Sequence, residues 1–199
     1  MSALDNAFKE LRRVHKKFDI EGCFEKSSQT HAKWPTTLPR SAETDYFYDN
    51  CEPVDVEVET GLTPICFFSL STLEGGQVGY KGAGDSNKTQ VNGNWPAQYL
   101  VFMDDIGGGK PVIAVTDMPG TPILASYDAV APFKIADSLA DFLLAFAKTV
   151  EIVHGKFDIF DIYNDDDELS SKFVKLLNKE VSPLLGEENY ERFFDYLYG

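Results

Sequence analysis

Residues 98 to 128 read QYLVFMDD, IGGGK, PVIAVTD, MPG, TPILASYD: three strand-length apolar runs with very short links. A parallel crossover takes about a dozen residues or more, so links this short admit only antiparallel neighbours, and the chain is committed to a meander. The first link also raises a chemical question, since glycines followed by lysine can cradle a phosphate. Such a loop needs Ser or Thr after the lysine, then a helix whose first amides face the anion. Here Pro111 and another strand follow Lys110. Gly107, Gly108 and Gly109 are therefore read as hairpin residues free to take positive φ. Asp104 and Asp105 fall on opposite faces if the strand runs on, which argues against one metal held between them.

Ahead of the meander, residues 3–18 place Leu4, Phe8, Leu11 and Phe18 on one helical face, with Lys9, Arg12, Arg13, Lys16 and Lys17 around the remainder. Prolines in WPTTLPR mark a loop within residues 22–40. Ser41 caps a second helix that brings Tyr46, Phe47 and Tyr48 to a core, and CEP at 51–53 ends it. VDVEVET then alternates, Val54, Val56 and Val58 against Asp55, Glu57 and Glu59, which predicts one half-buried strand with a wet face. PICFFSL reads as a more apolar strand, EGGQVGYKGAG as turn, short strand and turn, and DSNKTQVNGN as a loop.

After the meander, KIADSLADFLLAFAKTVEI is the clearest helix: Ser138 and Asp141 cap it, and Leu139, Phe142, Leu143, Phe146 and Val150 form a wide apolar face. FDIFDIYNDDDELSS is an acidic connector without the glycine and alternating oxygen ligands of a calcium loop. Asp165, Asp166, Asp167 and Glu168 are read as starting the next helix, where carboxylates oppose the dipole favourably. That helix carries Phe173 and Leu177 and is expected to stop near Pro183; a last one carries Tyr190, Phe193, Phe194 and Leu197. The expected fold is α+β, a mainly antiparallel or mixed sheet of five to six strands flanked by helices. Residues 1–155 form the main domain, with its core at about 34–150. Residues 156–199 form a helical extension packed on that domain or on a second copy, and the protein is expected as a monomer or homodimer.

The charge narrows function. Net charge is −14, spread as 8 basic against 5 acidic side chains in residues 1–40, 6 against 16 in 41–157, and 4 against 11 in 158–199. Nucleic-acid binding draws on Lys and Arg displacing counterions, so nucleic acid and anionic membrane are disfavoured, and a basic protein partner is favoured. No apolar run approaches the roughly 20 residues of a membrane span. The N-terminus lacks a signal-peptide pattern, and Cys23, Cys51 and Cys66 lack paired spacing, so a reducing, cytoplasmic setting is expected. His15, His31 and His154 are scattered, and no metal, cofactor or nucleophile motif is present. Asp104 with Asp128 is an acid pair that nothing singles out from the other carboxylates.

The succession WPTTLP, TDYFYDNCEP, WPAQYLVFMDDIGGGKPVIAVT, TPILASYD and FKIADSLADFLLAFAK resembles the SUKH superfamily, which contains yeast cell-wall-assembly regulators and many bacterial immunity proteins. The likeness covers about residues 34 to 150. It departs from the usual pattern at Gly109-Lys110, where an aspartate is common, and beyond residue 155. The resemblance implies a non-catalytic α+β binding module, with immunity to a nuclease-type toxin as the first expectation. An acidic protein of this kind occludes the basic groove of its toxin. Candidate contacts are Asp55, Glu57, Glu59, Asp104, Asp105, Asp165, Asp166, Asp167 and Glu168. The alternatives are a regulatory or adaptor role of cell-wall or signalling type, and a hydrolase whose deep pocket holds His or paired carboxylates of perturbed pKa.

Overall fold

The computed structural model describes residues 2–26, 33–80, 95–127, 131–159, 161–166 and 168–199. Its elements in chain order are α1 (Ser2–Lys17), β1 (Cys23–Glu25), α2 (Ala42–Cys51), β2 (Glu52–Val54), β3 (Glu57–Val58), β4 (Ile65–Phe67), a 3₁₀ turn (Gly75–Gln77), β5 (Tyr99–Asp105), β6 (Val112–Val115), β7 (Ile123–Ala125), β8 (Phe133–Ala136), α3 (Leu139–Gly155), α4 (Ser171–Leu185) and α5 (Glu187–Tyr198). The fold is α+β. β3 to β8 form one six-stranded sheet in chain order, every neighbour antiparallel, and β1 with β2 forms a separate antiparallel pair.

The short links do what their length dictates: β5 pairs with β6 and β6 with β7, each as a direct hairpin. All four residues of β6 are buried, so both faces of the sheet are covered there. One face carries the helices. Phe67 meets Phe146 at a ring separation of 5.6 Å, Phe102 meets Phe142 at 5.9 Å, and Phe142 meets Phe193 of α5 at 6.3 Å. One buried cluster thus runs from Leu4 to Tyr198, taking in α4 and α5. On the other face, Tyr80, Val101 and Ile113 gather with Trp95, Tyr99 and Leu124.

Local signals set the helix starts. Ser138 Oγ accepts the Asp141 N–H at 3.1 Å and donates to the Asp141 carboxylate at 2.7 Å. Ser41 and Thr44 cap α2 reciprocally. Three expectations are corrected. VDVEVET is two strands, because Asp55 turns the chain at φ 52°; β2 joins β1 while β3 joins the main sheet, and Val56 and Val58 still face inward. EGGQVGY holds the 3₁₀ turn in place of a strand, since the Gln77 side chain itself completes the ladder on β5. α4 continues through Pro183 to Leu185, because the Lys179 carbonyl that proline leaves unbonded belongs to an exposed residue; Gly186 at φ 78° ends the helix.

α1 is clasped to α3 by charge. Glu151 accepts from Arg13 at 2.8 Å and from Lys148 at 3.1 Å, with Lys17 3.5 Å away. Partial burial pushes its pKa up, but the Arg13 and Lys148 bonds outweigh this and hold it at about 2. A carboxylate depressed in the fold contributes stability that is full above its unfolded pKa and lost as pH falls toward the folded one. Thermal melts between about pH 4.5 and 2 are therefore expected to show about 1 to 2 kcal/mol lost through this group after solvent screening. Glu151→Gln should be less stable at neutral pH and should lack that component of the acid dependence.

Candidate functional site

Two acidic segments, far apart in sequence, meet at one edge of the sheet. β3 is that edge, and Asp55, Glu57 and Glu59 on and beside it are exposed. The Glu59 carbonyl accepts from His154 Nε2 at 2.8 Å, which ties the end of α3 to β3. The Tyr198 hydroxyl donates to the Thr60 carbonyl at 3.0 Å. Gly61, at φ 95°, leaves room for the loop after α3; a Cβ there would stand 2.4 Å from Ile162 Cδ1. Ile159 and Ile162 consequently lie against the chain that follows β3.

Asn164 shapes this loop. Its Oδ1 accepts the N–H groups of Asp166 and Glu168, each at 2.9 Å, and its own N–H reaches the Glu168 carbonyl at 2.8 Å. That local bonding competes with helix formation, so α4 starts only at Ser171, and the reading of these carboxylates as its first turn is corrected. Asp165, Asp166 and Glu168 are exposed, as are Asp158 and Asp161; Asp167 lies outside the described residues. Sequence reasoning misses Asp158 and Asp161 as site residues, although the repeat FDIFD marks them as the polar positions of an apolar run. Carboxylates at an open edge also deter unwanted strand pairing.

The glycine hairpin is built differently from its sequence reading. Gly108 and Gly109 take φ of 72° and 122°, while Gly107 does not need a positive value. Asp104 is 5% exposed and Asp105 half-buried, which removes Asp104 from the exposed partner contacts and turns Asp105 inward. Nor do the two point apart. The Lys110 N–H donates to Asp104 Oδ1 at 3.0 Å and to Asp105 Oδ1 at 2.9 Å, because the tight return of the chain brings one amide between both carboxylates. The Asp105 N–H also donates to Asp104 Oδ1 at 2.9 Å. The Gly109 N–H donates to the Tyr80 hydroxyl at 2.8 Å, which donates to Asp104 Oδ2 at 2.6 Å.

This closed set of bonds has electrostatic consequences. Burial raises the Asp104 carboxyl above the usual carboxylate range; the Tyr80 bond opposes this, and Asp105 adds to it. Burial and the Asp104 bond push the Tyr80 phenol up. The loop is fastened to the C-terminal helices through Lys110. Its Nζ donates to Thr63 Oγ1 at 3.1 Å and lies 5.5 Å from the Tyr127 ring centre, and its carbonyl accepts from the Tyr196 hydroxyl. Lys110, directly after the glycines, is thus the residue that docks α5.

Tyr80 and Asp104 also line an open cleft of about 710 Å³ with Phe68, Ser71, Thr72 and Gly79. Among the described residues, no group of three or more His, Cys, Asp or Glu is placed to hold a metal ion. His15 bonds the Glu21 carbonyl and His154 that of Glu59, so these two stand apart; His31 and Asp128 lie outside the described residues. Cys23, Cys51 and Cys66 are free thiols. No described helix is long and apolar enough to cross a membrane. No protein-family model, curated protein or solved structure matches this chain.

Proposed function

We propose that the protein is a non-enzymatic binding module that recognises a basic protein partner through the acidic edge of β3 and the loop after α3. In the SUKH-type reading, that partner is a nuclease-type toxin, and the edge occupies the groove it uses for phosphate. The observation that supports this is the approach of the loop carrying the exposed Asp161, Asp165, Asp166 and Glu168 to the chain beyond β3, at Gly61 and Ile162, while Asp55, Glu57 and Glu59 on and beside that edge are exposed as well. Complementary charge raises the encounter rate, up to about 10⁸–10⁹ M⁻¹s⁻¹ at low salt, and salt screens it over about 8–10 Å.

Glu57, Glu59, Asp165 and Asp166 changed together to lysine are expected to slow association with the partner on the order of 10- to 100-fold while leaving the melting temperature unchanged. Stopped-flow kinetics across a salt series checks this; an association rate indifferent to salt or to the four substitutions sinks the reading. Co-expression with a toxin encoded beside this chain should restore growth of the host. The hydrolase alternative has one observation in its favour, the Asp104 carboxyl at the 710 Å³ cleft. That carboxyl is already committed to Tyr80, Asp105 and Lys110, which suits a loop clamp better than a reacting group.

A further inference from the structure

α4 and α5 form a hairpin with an open groove of about 510 Å³ between them, lined by Val174, Lys175, Asn178, Tyr190 and Phe194. Tyr190, only 5% exposed, forms the floor of the groove with its hydroxyl beside Asn178. The rims carry opposite charge. α4 bears Lys172, Lys175 and Lys179 against Glu180, and α5 bears Glu187, Glu188, Glu191 and Asp195 against Arg192. Lys179 pairs with Glu180 and Arg192 with Glu188, each within its own helix; among the described residues no ion pair crosses the groove.

We propose that this face joins two copies of the chain, hairpin on hairpin, about a two-fold axis running along the helices. Two charge arguments select the occupant and the axis. The chain as a whole carries −14, so most of its surface repels a second copy, whereas the hairpin holds 4 basic and 5 acidic side chains and is nearly balanced. The lysines of α4 likewise disfavour a basic partner at this face. A two-fold axis along the helices sets α4 of each copy against α5 of the other, lysine rim to acidic rim. An axis across them would set lysine on lysine. The packed groove covers Val174 and Phe194.

The interface is small. A 15-residue helix is about 22 Å long, and two side by side are about 20 Å wide, so each copy covers about 450 Å². The total of about 900 Å² falls just below the specific-interface range, which makes the dimer reversible and concentration-dependent. Sedimentation equilibrium is the test. The wild-type mass should double from 22.2 kDa as concentration rises. The rise is expected between about 1 and 100 µM, and it should be weaker at high salt. K175E/K179E, with two acidic rims, and E187K/E191K, with two basic rims, should each remain monomeric, while their equimolar mixture pairs as a heterodimer. If either double variant unfolds, as circular dichroism would report, the single variants Lys175→Glu and Glu191→Lys replace them in the same design. A wild type that stays monomeric, variants that dimerise alone, or a mixture that does not pair overturns the proposal. Binding of the basic partner is tested at Glu57, Glu59, Asp165 and Asp166, none of which these variants change, so either proposal can fail without the other.

Discussion

Gln77→Ala should lower the free energy of unfolding by about 3 to 5 kcal/mol, more than its single polar side chain suggests. β4 ends at Phe67, and beyond it the N–H and C=O of Val101 face a place with no strand. The Gln77 amide fills it: its Oε1 accepts the Val101 N–H at 3.0 Å, and its Nε2 donates to the Val101 carbonyl at 2.7 Å and to the Leu73 carbonyl at 2.8 Å. Gln77 is 5% exposed and Val101 fully buried, so water cannot substitute for the lost amide. Each buried backbone group left unbonded costs about 1 to 3 kcal/mol. Gln77→Glu separates donor from acceptor. As a carboxylate it still accepts the Val101 N–H but presents negative charge to two carbonyls; protonated, it donates to one of them. Its folded pKa is therefore raised, and this variant should be most stable at low pH and lose stability as pH rises through that value. Urea unfolding at about pH 4 and pH 8 reads both effects; a Gln77→Ala cost under about 1 kcal/mol would remove Gln77 from the ladder.

The same residue marks where the sequence stops being legible. The meander is readable because link length is a hard geometric limit, and the helices because their apolar spacing and Ser caps are local. A side-chain amide that replaces a strand leaves no periodic trace, so residues 74–80 look like a strand between turns. The break at Asp55 is hidden for a related reason: burial alternates through Val54, Val56 and Val58 whether or not the chain changes sheets there.

Asp104 shows a different limit. A carboxylate beside three glycines looks like a solvated turn, and what buries it is the approach of Tyr80, fixed only by tertiary packing. The acidic rim depends likewise on Gly61 admitting Ile162. Composition announces that negative charge is in excess; only the fold decides which carboxylates stand together and which are spent inside. Lys110 follows the same logic. As a sequence feature it lacks both the serine or threonine and the helix of a phosphate loop, and in the fold it is a fastening between the hairpin and α5.

Gly22→Ala is expected to cost about 2 to 5 kcal/mol, and its cause can be isolated by comparison with another glycine. A Cβ at Gly22 would stand 2.2 Å from the Asp55 carbonyl oxygen and 2.5 Å from that of Val54. Both are backbone atoms at the point where the chain leaves one sheet for the other, so neither can rotate away as a side-chain tip would. Gly22 also has φ 81°, a conformation that adds about 1 to 2 kcal/mol of strain for an L-residue. Gly79 shares the strain at φ 100° but has no atom within 4 Å of the place a methyl group would take, so Gly79→Ala should cost only about 1 to 2 kcal/mol. The difference between the two variants measures the steric contact alone, on the order of 1 to 3 kcal/mol. Because β1 pairs with β2 just before Asp55, amide exchange at Cys23–Glu25, Glu52 and Val54 should quicken in Gly22→Ala while β5 and β6 stay protected. If both alanine variants lose the same stability, crowding by Asp55 is not what requires glycine at position 22.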